Sequence, residues 1–213
     1  MEITTEHPPL REILATEAEI EAVLGKPSHI VQAKVINRLD DICRAFIART
    51  PFVLIASSDA EGHADLSPKG DPAGFVQVLD DRTIAIPERP GNRRADTFRN
   101  VLQNPKVGLI FLVPGKSETL RISGSARIAR DAWLRERMAV DGRVPKLALV
   151  VTVEEAFMHC TKCMVRSRMW QPDSWNPNGL ATLAEATFAH GRLDISVAEL
   201  QAMTENSLRN ALY

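Results

Sequence analysis

Arg93 and Arg94 stand side by side at the end of a stiff turn, Pro87-Glu88-Arg89-Pro90-Gly91-Asn92-Arg93-Arg94. Two prolines fix the chain where it must be rigid, and Gly91 permits a positive φ. A β-rich run, Thr83-Ile84-Ala85-Ile86, leads into the turn, and a helical pattern from Ala95 to Asn104 follows it. A helix N-terminus presents unpaired N–H groups and a partial positive charge, so it attracts anions, phosphate above all. The planar guanidinium can grip a phosphate with two parallel hydrogen bonds. The stretch therefore reads as a phosphate cradle. The plain alternative is a solvated loop whose arginines pair with nearby acids such as Asp96 or Glu88.

Lys69 lies in a second candidate loop, Leu66-Ser67-Pro68-Lys69-Gly70, with Asp65 and Asp71 nearby as loop carboxylates of no assigned role. His159-Cys160-Thr161-Lys162-Cys163 holds a single Cys-x-x-Cys pair, and a structural zinc site usually needs two such pairs. The third cysteine, Cys43, is remote in sequence. The expectation is no metal site and buried, inert thiols. His29, His63 and His190 show no ligand spacing, and no catalytic acid, base or nucleophile stands out.

The elements that must position these residues follow from periodicity. Apolar residues at helical spacing predict helices over Leu10 to Leu24 and about Ile30 to Ala48. Strands are expected at Phe52 to Ser57, His63 to Ser67, Gly74 to Leu79, Arg82 to Ile86, Val107 to Val113, Thr119 to Ile128 and Ala148 to Val153, with Asp59-Ala60-Glu61-Gly62 as a hairpin bend. A short helix opens at Asp131. Two terminal helices, Leu180 to Ala189 and Ser196 to Leu208, close the chain, the second through the capping box Ser196-Val197-Ala198-Glu199. Short turns between strands favour an antiparallel Greek key closed into a small barrel of about six strands. Residues 1–50 read as a helical segment, 51–170 as the barrel and 171–213 as a helical extension of it.

The chain has 213 residues, 45% hydrophobic and 25% charged, with a net charge of −1, so no overall field recruits nucleic acid or an anionic membrane. No apolar run approaches the roughly 18 residues of a membrane span. The polar, acidic start, Met1-Glu2-Ile3-Thr4-Thr5-Glu6, does not read as a secretory signal, and three cysteines suggest no disulfide framework. A reducing cytoplasm is the expected location.

Taken in order, Leu66-Ser67-Pro68-Lys69-Gly70, Gly74-Phe75, Gly91-Asn92-Arg93-Arg94, Asn104-Pro105 with the apolar strand after it, and Leu120-Arg121-Ile122-Ser123-Gly124-Ser125-Ala126 resemble the pyridoxamine 5′-phosphate oxidase-like, FMN-binding split-barrel proteins. The likeness spans about Phe52 to Trp170 and is closest to a bacterial subgroup of FMN-dependent enzymes without an assigned substrate. It implies a mainly β fold with flanking helices, a six-stranded antiparallel Greek-key split barrel, and a homodimer with FMN between the subunits. Carried over by position, Ser67 and Lys69 meet the flavin or its phosphate, and Arg93 with Arg94 forms the phosphate-binding basic pair. Ile86 and Pro87 run beside the isoalloxazine, and Thr119 and Arg121 lie on the strand approaching the ring. Arg166, Arg168 and Trp170 fall where a second subunit contributes. The Arg-x-His motif that holds substrate phosphate in pyridoxamine phosphate oxidase is absent, so oxidation of that substrate is not expected.

The resemblance thus implies a flavoenzyme acting on a small molecule, with a nicotinamide as candidate electron donor. A non-catalytic flavin carrier or sensor would use the same arginines. A deazaflavin, pyridoxal phosphate or haem stands as an alternative ligand, since one fold hosts several.

Overall fold

A seven-stranded antiparallel sheet organises the molecule, a computed structural model in which residues 8–213 are described. The run Met1 to Glu6 lies outside the described residues. The chain divides into two compact units after Val35.

The first unit holds α1 (Glu17–Leu24) and α2 (His29–Ala33). α1 starts later than its apolar pattern predicts because Thr16 and Glu19 form a capping box that defines its first turn. The predicted helix over Ile30 to Ala48 is likewise corrected. It breaks after Ala33, and Ile36 instead makes a β-bridge to Ala156. A separate helix, α3 (Asp41–Ile47), begins where the Asp40 carboxylate accepts from the Cys43 N–H.

In the second unit β1 (Phe52–Ser58) and β2 (Ala64–Gly70) form a hairpin whose turn is held by Asp59 accepting from the N–H groups of Glu61 and His63. β3 (Gln77–Val78) and β4 (Thr83–Pro87) form another, and α4 (Asp96–Gln103) follows. β5 (Lys106–Leu112), β6 (Thr119–Ala129), α5 (Ala132–Arg137) and β7 (Ala148–His159) come next. Then come α6 (Lys162–Arg166), a 3-10 turn at Pro172–Ser174, α7 (Leu183–Gly191) and α8 (Val197–Asn210). The order β2-β1-β5-β6-β7-β4-β3 is that of a split barrel with flanking helices. The sheet has seven strands where a barrel of about six was expected, and of the strand expected over Gly74 to Leu79 only the two-residue β3 pairs. Ser196 and Glu199 do form the expected capping box at the start of α8.

Alternation puts Val53, Ile55, Leu109, Phe111, Leu120 and Ile122 on one face, all 1% exposed or less, with Phe98 and Val101 of α4 packed against that core. Ser67 pairs with Ile55 and Lys69 with Val53, so both side chains share the core-side face of β2. β2 is the sheet's edge strand, where Pro68 costs no ladder bond. A bulge between Ser123 and Gly124 bends β6, and a Cβ at Gly124 would lie 2.0 Å from the Thr152 carbonyl oxygen. Close approach therefore demands glycine there. Of the cysteines only Cys43 is buried. Cys160 and Cys163 are exposed, correcting the expectation of buried thiols, because the chain leaves the sheet at His159. Among the described residues no helix is long and apolar enough to cross a membrane.

Candidate functional site

The edge strand β2, the turn after β4 and the first turn of α4 enclose a cavity of about 480 Å3, inside the usual range for small-molecule sites. Ser67, Lys69, Pro87, Arg93 and Arg94 all line it. Lys69 lies on strand β2 rather than in the expected loop, because Leu66 to Gly70 continue the ladder with β1, and it faces the same space as the distant cradle. Ile86 is buried in the core directly behind Pro87.

Two residues of the loop, Arg93 (φ 60°) and Ala95 (φ 56°), adopt the left-handed conformation. Each costs roughly 1–2 kcal/mol relative to ordinary backbone. Such strain persists only where surroundings impose it and is characteristic of binding sites. Ala95 is also the N-cap of α4 and has no side chain to accept the first-turn N–H groups, which lie at the cavity wall with Thr97 and Phe98. Residues poor as caps leave that end open to an exogenous anion.

The side chains differ in their readiness to bind one. Arg93 is exposed and has no hydrogen-bond or ion-pair partner among the described residues. Arg94 Nε lies 2.6 Å from Asp96 Oδ2, and that pair raises the Arg94 pKa above its ordinary value. Lys69 Nζ donates to Glu88 Oε2 at 3.0 Å, both side chains about three-quarters buried. Asp65 accepts from the Thr97 hydroxyl at 3.3 Å. The plain reading of arginines paired with local acids therefore applies to Arg94 and leaves Arg93 available. The cavity holds Lys69, Arg89, Arg93 and Arg94 against Asp65, Glu88 and Asp96.

Arg89 is committed elsewhere, to a cluster that sequence reasoning missed. Its Nε contacts Asp71 Oδ2, its Nη2 donates to the Met138 carbonyl at 2.8 Å, and the Tyr213 hydroxyl donates to Asp71 Oδ1 at 2.8 Å. Asp71 is 1% exposed in its side chain and Arg89 14%. The Tyr213 ring centre lies 5.5 Å from the guanidinium carbon, a cation–π distance. This clasp anchors the turn from below. Nothing local in sequence could have shown it, since its members join residues 18 and 142 positions apart.

The remaining predicted residues lie outside the cavity. Arg121 pairs across the sheet with Ile110 and Phe157, on the face opposite Ser67 and Lys69, and its guanidinium sits 5.6 Å from the Phe157 ring. Thr119, on the same strand, is buried opposite His159. Arg166 ends α6, Arg168 donates to the Gln171 side chain at 2.9 Å, and Trp170 Nε1 donates to the Lys116 carbonyl at 2.8 Å. Among the described residues no group of three or more His, Cys, Asp or Glu side chains could hold a metal ion.

The chain is similar in structure to HupZ of Group A Streptococcus, 22% identical over 56% of this chain and 93% of that one, with a TM-score of 0.46. A Lactobacillus delbrueckii protein, provisionally titled a pyridoxamine 5′-phosphate oxidase, is 20% identical over 57% and 95% of the two chains, TM-score 0.46. An FMN-binding protein of Syntrophomonas wolfei is 12% identical over 55% and 88%, TM-score 0.41. No curated protein matches the chain. The family model described as pyridoxamine 5′-phosphate oxidase matches residues 39–160, more than half of the chain and the whole of its sheet. This chain therefore belongs to the pyridoxamine 5′-phosphate oxidase-like split-barrel family.

Proposed function

We propose that this protein is an FMN-dependent oxidoreductase acting on a small molecule, working as a homodimer, with the flavin phosphate held by the turn after β4. One observation carries the reading: an unpartnered arginine, on strained backbone, faces a cavity beside the uncapped N-terminus of a helix. Family membership supplies the cofactor class that suits it.

The donor set fits the group. Arg93 offers a free fork to a phosphate dianion, the first-turn N–H groups of α4 offer backbone donors, and the Ser67 hydroxyl lines the opposite wall. Lys69 and Arg94 can add charge by exchanging their carboxylate partners for phosphate oxygens. When bound, FMN would supply two-electron transfer to or from the substrate, and the protein's part is to bind, orient and exclude water.

A second copy is invoked because one copy leaves Thr119 and Arg121 on the wrong face for this cavity. That outer face also exposes Phe52, Leu66 and Ile110, apolar side chains suited to self-association. Docking there would bring Arg121 of one copy toward the ligand of the other.

A non-catalytic flavin carrier or sensor is the second reading, and a specific observation favours it. Asp65, Glu88 and Asp96, the carboxylates lining the cavity, each already have a partner, so none stands ready to move a proton. The absorption spectrum of purified protein tests the cofactor, and anaerobic mixing with NADH or NADPH tests turnover. A flavin spectrum bleached by nicotinamide supports the enzyme, and a bound flavin that no donor reduces supports the carrier. A haem or deazaflavin spectrum would overturn the FMN assignment.

A further inference from the structure

Behind the turn lies a second, larger cavity of about 760 Å3, and Arg93 borders both. Glu88, Arg89, Pro90 and Gly91 also face both spaces, so a single strip of chain separates them. The far wall comes from the segment Arg143–Lys146, between α5 and β7, and from Ser207, Ala211 and Tyr213 at and beyond the end of α8.

Its chemistry differs from that of the first. Lys146 is exposed and, like Arg93, has no hydrogen-bond or ion-pair partner among the described residues. Arg143 donates to the Tyr213 main-chain oxygen at 2.8 Å, which holds its guanidinium at the wall. The one acidic side chain lining the space, Glu88, is already bound to Lys69. Cationic side chains therefore share the lining with Pro90, Val144, Pro145, Ala211 and Tyr213. Tyr213 is held in place by its bond to the buried Asp71 and by Arg89, so its ring is a fixed platform. Unpaired cations beside a rigid aromatic and proline surface suit a ligand with a flat ring and an anionic group.

We infer that this second cavity is a nucleoside-phosphate site, taking the adenylate part of a dinucleotide co-substrate. The phosphate would sit between Arg93 and Lys146, and the base would lie against Tyr213 and Pro90. Position supports a dinucleotide over a free nucleotide, because Arg93 borders both spaces and a ligand long enough can reach from one into the other. The inference rests on the proposed flavin site only for that last step, since a lone nucleotide could occupy the second cavity without it.

The test uses purified full chain and 5′-AMP as probe, followed by calorimetry, beside separate titrations with FMN. AMP should bind the wild type with a dissociation constant below about 1 mM, and Lys146→Glu should weaken it at least about tenfold. FMN affinity should stay within about threefold in Lys146→Glu, whereas Arg93→Ala should weaken both ligands. Should the protein turn over a nicotinamide, Lys146→Glu should raise KM for the dinucleotide and leave kcat unchanged. Absence of AMP binding to the wild type at about 10 mM would overturn the inference, as would equal AMP binding by Lys146→Glu. Loss of FMN but not AMP on that substitution would also overturn it, placing the flavin phosphate in this cavity. AMP binding by a protein that binds no FMN would sink the flavin reading and leave this one standing.

Discussion

Replacing Arg93 separates an anion site from an ordinary loop. A fork-like contact to phosphate comprises two charge-assisted hydrogen bonds, each worth roughly 1.5–3 kcal/mol when water is excluded. Arg93 is exposed, so water recovers part of that, and about 1.5–3 kcal/mol is the expected total for both bonds. At about 1.4 kcal/mol per tenfold, Arg93→Ala should weaken FMN roughly 10- to 150-fold. Arg94→Ala should do less than about tenfold, because Arg94 must first leave Asp96 before it can serve. A stability control separates binding from folding. Arg93→Ala keeps the left-handed strain, whereas Arg93→Gly removes about 1–2 kcal/mol of it while adding about 0.5–1 kcal/mol of unfolded-state entropy. The glycine variant should therefore be as stable as the alanine one or slightly more so, with the same loss of affinity. Flavin fluorescence quenching gives the affinities, and thermal unfolding without ligand gives the stabilities. The reasoning fails if Arg93→Ala binds FMN within about threefold of the wild type, or if Arg94→Ala is the more damaging.

Four other outcomes follow from the same contacts. Glu88→Gln should free Lys69 and tighten FMN binding a few-fold, read by the same titration, at a stability cost of about 1 kcal/mol for the three-quarters-buried pair. Asp71→Asn should cost about 3–5 kcal/mol in urea unfolding by leaving Arg89 buried without its counter-charge, while Tyr213→Phe, which keeps the ring, should cost far less. Gly124→Ala should destabilise by roughly 3 kcal/mol, because the added methyl meets a main-chain oxygen that cannot move alone. Glu154 accepts from Lys106 and Ser125, which holds its carboxyl below the ordinary 4.5; its contribution is therefore complete above that value and lost as pH falls through the depressed one. Urea midpoints should accordingly drop as the pH falls below 4.5, and the drop should be shallower in Glu154→Gln.

Much of the fold was legible because alternation and turn chemistry are local. The Asp59 hairpin, the separate strands that hold Ile55 and Leu109, and the Ser196 cap all follow from spacing that neighbouring residues enforce. The helix expected through Val35 failed for a non-local reason, since Ile36 gives its backbone to Ala156, a partner 120 positions away. β7 likewise runs to His159, beyond its apolar part, because β6 supplies a long partner whatever the hydropathy. At the site, the arginine turn and Lys69 were visible as residue types, though Lys69 proves to lie on β2 and not in a loop, and the fold brings them to one cavity. Which arginine is available was not visible, because it depends on a 2.6 Å contact between Arg94 and Asp96. The Asp71, Arg89 and Tyr213 clasp left no local trace at all.

The pairing of Lys69 with Glu88 and of Arg94 with Asp96 has a bearing on selectivity. Each carboxylate acts as a built-in placeholder, occupying a cation with the oxygens that a visiting molecule would otherwise provide. Repulsion among the positive groups of the pocket is thereby relieved. In the proposed reading a visitor must outcompete these resident oxygens, which a doubly charged phosphate would do more readily than acetate or chloride. On that reading the same local acids would set a threshold of charge for admission.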